Sequence, residues 1–187
     1  MVHAFAAYLF LGLMALGRAS SLSMDSRQLS SKTSQPISGG AARISGARDV
    51  SGLFLFSSVQ GSDWVSLNIT MRGLLQYNRQ AEGFAFHVHE HPVVNGDCAS
   101  TMGHYKVLKT KPSCNSQVAN YCQPAELALR HGNLPGNMNA FSWRLYDNAV
   151  ELTGPDSIVG RSIVVHGANM SRIACGNIAS WTLGTKV

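Results

Sequence analysis

Little of this sequence is charged. Lys and Arg number 15 and Asp and Glu 10 among 187 residues. The basic residues are scattered, with no block among them, so the formal charge of +5 is not a nucleic-acid footprint, though it can attract small anions. Cysteines at CxxC spacing are absent, which argues against a cysteine zinc site. Long apolar runs are missing as well. The longest, AFAAYLFLGLMALG near the N-terminus, has 14 residues, too few to span a bilayer comfortably. Small residues follow it, so residues 1–19 read as a cleaved signal peptide, with no membrane segment left after cleavage. Secretion is the expected fate.

Export fits the cysteines. Cys98, Cys114, Cys122 and Cys175 form an even set, and an oxidising compartment predicts two disulfides with three pairings open. Asn68 in NIT and Asn169 in NMS are candidate glycosylation acceptors. Residues 20–40 are rich in Ser and Gly and poor in aromatics, which predicts a flexible leader before a domain over 41–187.

Within that domain, short apolar runs alternate with turn residues. In VSLNITM, Val65, Leu67 and Ile69 alternate with polar partners, as on a half-buried strand. Only PAELALRHG reads as helix, for two turns at most. An all-β sandwich or barrel is expected. Residues 92–140 form a long loop region rich in Gly, Asn, Pro and Cys, a length that usually carries function or cross-links.

The segment GFAFHVHEHPV places His87, His89 and His91 on one face of a strand. Phe84, Phe86 and Val88 then take the core side, which leaves the histidine side to a loop or solvent. Pro92 ends the strand. Alternation does not say which histidines bind, and a polar strand face that merely carries them fits equally. Two more bear on the choice: His104 in the long loop, and His166 after the apolar run SIVV. With His87 and His89 they offer four imidazoles and no carboxylate, a set that suits copper better than zinc. His131, at a predicted helix end, reads as a surface residue.

GFAFHVHE, NGDCAS, GHY, HGNLPGN, IVGRSIVVH and SRIACGNIA, in that order over residues 41–183, resemble the copper-zinc superoxide dismutases. The resemblance implies an eight-stranded, flattened Greek-key β-barrel. It implies copper on His87, His89, His104 and His166, and Arg172 as the active-site cation beside them. It also implies a Cys98–Cys175 disulfide, which leaves Cys114 with Cys122. Arg172 and His104 are then the catalytic residues, and superoxide is the substrate, converted to dioxygen and hydrogen peroxide.

Two departures point away from a zinc-bound form. No histidine lies between His104 and His131, and Asn133 stands where the family has an aspartate. His166 and Arg172 are also too close in sequence for an electrostatic loop. The chain therefore resembles the secreted copper-only branch, which implies a monomer without zinc. Even there an acidic pair orients the loop histidine, and the matching positions are Arg130 and Asn133. Asn133 could accept a hydrogen bond from His104, whereas Arg130 cannot. Glu126, His131 or a backbone carbonyl are the other acceptors on offer. The alternative reading is a dismutase-like module that binds copper or a partner with little turnover.

Overall fold

Val65, Leu67, Ile69 and Met71 are buried on one side of a strand whose other side is half-exposed to exposed, as the alternation predicts. This is β3, Val65–Arg72. A computed structural model describes residues 38–78, 81–111 and 121–182. The other strands there are β1 (Ser38–Gly46), β2 (Ser51–Ser58), β4 (Ala85–His89), β5 (Ala140–Asp147), β6 (Ser162–His166) and β7 (Arg172–Thr182). The signal peptide expected over 1–19 lies outside the described residues. So does most of the expected leader, except that β1 begins at Ser38, inside the span assigned to it.

All strand pairings are antiparallel, in the order β4-β6-β7-β1-β2-β3-β5. The sheet is strongly curled. β2 and β4 stand four places apart, about 19 Å if flat, yet the rings of Phe54 and Phe86 lie 5.8 Å apart. Those rings, with Phe56, Phe84, Leu67, Ile69, Ile163 and Ile178, fill one core inside the curl. Gly176 lets β7 lie close to β1, since a Cβ there would collide with the Arg43 carbonyl oxygen.

Seven strands are described where eight were expected. Two isolated bridges, Phe84 to Leu134 and His89 to His104, stand at the edge beside β4. An antiparallel partner of β4 would run back from Leu134 through residues 133 to 129, but these enter the helix α1, Leu127–His131, and the Gly132 N–H is spent on Ala128 O, so the pairing stops there. Among the described residues of 92–140 the one α-helix is α1, where helix was expected. Among the described residues no helix is long and apolar enough to cross a membrane.

Of the two covers expected for the histidine face of β4, a loop or solvent, the structure has the loop. From Phe86 to His89 both faces are buried. The loop after β4 folds back over the strand: Tyr105 N–H donates to Val88 O, and Glu90 N–H to Gly103 O. Along the same edge Val88 N–H donates to Ala125 O. Loops, rather than solvent, cover the imidazoles.

Candidate metal centre

His87 and His89 project from β4, His166 ends β6, and His104 is bridged to His89 by the returning loop. One ligating nitrogen from each of the four lies within 4.8 Å of the others. That is close to the ~4 Å between opposite ligands on an ion with ~2 Å bonds. His89 Nε2 and His166 Nε2 are 3.2 Å apart. The His87 and His104 rings stack with centroids 4.0 Å apart.

Hydrogen bonds sort the eight ring nitrogens. His89 Nδ1 donates to Met102 O at 2.8 Å, His166 Nδ1 to Met170 O at 3.0 Å, and His104 Nδ1 to Glu126 Oε1 at 3.0 Å. Each of these three rings therefore turns a bare Nε2 toward the cluster. His87 is reversed: its Nε2 lies 3.7 Å from Glu126 Oε2, and its Nδ1 is buried without a hydrogen-bond partner. A buried polar atom without a partner is costly, and a cation supplies what this one lacks. The donor set fits copper, and His131 and His91 stand outside it. His91 is exposed.

Electrostatics favour neutral rings. Burial, then the neighbouring histidines, lowers the pKa of His87 to about 3. Burial lowers that of His89 to about 4 against the raising effect of the Met102 carbonyl, and burial lowers that of His166 as well. Neutral imidazole is the form that ligates a metal.

A tight hairpin brings Arg172 to the site. β6 and β7 pair His166 directly with Arg172, and Gly167 N–H closes the turn on Ser171 O. The Arg172 Nη1 donates to Cys98 O, Ala99 O and Thr101 Oγ1, and its Nη2 to Met102 O at 2.5 Å. The Met102 carbonyl thus serves His89 and Arg172 together. The Cys98–Cys175 disulfide, with Cα atoms 5.7 Å apart, ties the same segment to β7. Cys122 is also disulfide-bonded, and Cys114 lies outside the described residues.

Three of the residues singled out in the sequence lie elsewhere. Asn133 Nδ2 donates to Glu82 O, so it does not serve His104. Arg130 Nε and His131 Nε2 both donate to Asp147 Oδ2 at 2.7 Å. Burial alone would raise the Asp147 pKa. The hydrogen bond from His131 and the charge and hydrogen bond of Arg130 outweigh it and bring the value to about 2. The acceptor for His104 is Glu126. In the sequence it was one acceptor among several, though it is the one carboxylate between Asp97 and Asp147. Thr101 and Met102 had no such signal. Of the glycosylation candidates, Asn169 is exposed in the β6–β7 turn, and Asn68 Oδ1 accepts from Arg144 Nε at 2.9 Å.

The chain is 33 % identical over 138 residues to a cell surface superoxide dismutase [Cu-Zn] 6 of Candida albicans, covering 71 % of this chain and 42 % of that protein. It is 29 % identical over 117 residues to the same organism's cell surface Cu-only superoxide dismutase 5, covering 61 % of this chain and 48 % of the relative. It thus spans about half the length of these relatives. Among solved structures, a mutant of Candida albicans superoxide dismutase 5 matches with TM-score 0.62 and 25 % identity, over 81 % of this chain and 95 % of that one. The Cu(II) form of that dismutase matches with TM-score 0.64 and 24 % identity, over 81 % and 97 %. Residues 50–178, which include every histidine of the cluster, Arg172 and both disulfide-linked Cys98 and Cys175, match the copper/zinc superoxide dismutase (SODC) profile, and the chain belongs to that family.

Proposed function

We propose that this protein is an extracellular copper-dependent superoxide dismutase. His87 would hold the copper through Nδ1, and His89, His104 and His166 through Nε2. The observation that carries the proposal is the cluster of four imidazoles, three of them buried, with the His87 Nδ1 buried and without a hydrogen-bond partner. Copper, when bound, supplies the one-electron chemistry that turns superoxide into dioxygen and hydrogen peroxide. The chain's own residues do the rest. Arg172 carries a permanent charge beside His166, held by four oxygens of residues 98–102, and draws the anion toward the site. Glu126 fixes the His104 tautomer so that Nε2 stays bare. The His104 side chain is 25 % exposed against 7 % for His87, which makes it the more open of the two to a solvent proton.

Zinc has no place in this proposal. Among the described residues no second group of three metal-binding side chains comes together. The Asp147 carboxylate is already neutralised by Arg130. The cell-surface relatives and the disulfide support secretion, with residues 1–19 as signal peptide, and the working unit is proposed to be a monomer. The competing reading, a binding module with little turnover, rested on Arg130 and Asn133. Neither touches His104, and Glu126 supplies the acceptor they lack.

The test is superoxide removal by protein loaded with one copper per chain. Substitution Arg172→Ala should slow it roughly tenfold or more while copper stays bound. Copper binding without dismutation would select the binding module. Failure to take up copper at all would overturn both readings.

A further inference from the structure

Next to the histidine cluster lies a second buried polar group. The Arg130 side chain is 3 % exposed and that of Asp147 1 %. Arg130 Nε donates to Asp147 at 2.7 Å. Its Nη1 donates to Tyr121 O at 3.0 Å and closely to Gln123 O, and its Nη2 reaches Pro124 O at 3.4 Å. We propose that Arg130 is a positioning residue for His104, acting through Glu126. The inference rests on the copper site proposed above.

The geometry is a closed ring. The carbonyls that Arg130 gathers lie just before Glu126 in the chain, and the Arg130 N–H returns to Glu126 O at 3.3 Å. Glu126 is therefore held from both sides, by the strand of carbonyls before it and by α1 after it. Asp147 fixes the guanidinium to β5, and it is itself fixed by the N–H groups of Ala149 and Val150 at 2.8 and 2.9 Å. Other contacts seat the same segment against the site. Ala125 O accepts from Val88 N–H, between His87 and His89. Gln123 Oε1 accepts from Val107 N–H, three residues past His104. The Glu126 carboxylate then has one position, against His104 Nδ1 and near His87 Nε2.

Only arginine can hold this ring. Its N–H groups lie in one rigid plane and reach four acceptors in different directions, whereas a lysine ammonium is a single point on a flexible stem. A buried charge also needs every one of those partners. The position that could not accept from His104 thus serves it from behind, by holding the residue that does.

The experiment compares Arg130→Lys, Glu126→Ala and the double variant. In metal-free protein, nitrogen NMR of His104 reads which ring nitrogen carries the proton. Wild type should show Nδ1–H, and both single variants should mix in the Nε2–H form. With copper, Glu126→Ala should weaken affinity about 10–100-fold. Arg130→Lys should weaken it by less, and should add nothing in the Glu126→Ala background. Losses that multiply in the double variant would overturn the proposal, as would a folded Arg130→Lys protein with unchanged tautomer and affinity. If Arg130→Lys does not fold, Asp147→Asn, which keeps an oxygen for Ala149 and Val150, should give the same pattern. If wild type binds no copper, the proposed function fails, while the tautomer reading still decides this inference.

Discussion

The partnerless His87 Nδ1 is only stable as a neutral atom, and this has a consequence for the metal-free protein. His87 and His89 have folded-state pKa values of about 3 and about 4, below the unfolded value of 6.5. The unfolded chain therefore takes up protons first as pH falls. The stability these residues contribute is complete above pH 6.5 and drains as pH drops toward 4. Melting temperatures of metal-free protein across that window should fall steadily, and a His87→Phe variant should fall less steeply. A flat profile would contradict the burial of neutral imidazoles. Asp147 acts in the same direction at lower pH. Its pKa is held at about 2 against an ordinary 3.8, so its contribution is present above about 4 and is lost between there and about 2. Acid unfolding of Asp147→Asn should lack that last component.

Among the elements, the β6–β7 hairpin and the loop from residue 98 to 105 make one unit, joined by the Cys98–Cys175 bond and the Arg172 hydrogen bonds. That bond closes a sequence separation of 77 residues. Chain entropy assigns such a loop roughly 4.5 kcal/mol. Replacing both cysteines with alanine should reduce the unfolding free energy in denaturant by about that amount, and should weaken superoxide removal beyond it because Arg172 loses its anchor. An unchanged midpoint would show that the loop is held by the hydrogen bonds alone. Part of the framework around the site was legible in sequence. Alternation gave β3 and the shared face of His87 and His89, and the short interval from His166 to Arg172 read as a missing loop. The burial of the histidine face was not legible, because the cover comes from distant segments, residues 101–105 and 121–126, that leave no mark on the strand itself. Seven of the eight expected strands are described, and beside β4 the pairing stops at Leu134 for a local reason, since the residues that would continue it turn into α1. Glu126 was visible only as one acceptor among several, since nothing in the sequence says that Arg130 turns away toward Asp147.

At the scale of the whole molecule, the scarcity of charge gives each fixed cation more weight. The formal charge is +5, and the substrate of the proposed reaction is an anion. Arg172 stands at the histidine cluster, and no long loop between His166 and Arg172 adds further charge. Attraction then has two parts: a diffuse field from the positive excess and a local pull from one guanidinium. Salt separates them. The screening length falls from about 30 Å at 0.01 M to about 8 Å at 0.15 M, which removes the diffuse part and leaves much of the local one. For copper-loaded protein the dismutation rate should therefore decline across that range and then level off. Arg172→Ala should start lower, decline over the same range, and level near the rate of an unsteered site. If the wild-type rate were independent of salt, the positive excess would have no part in capture and Arg172 alone would carry it. If the rate rose with salt, the approach to His104 and His166 would be repulsive to anions, and the proposed role of Arg172 would fail with it.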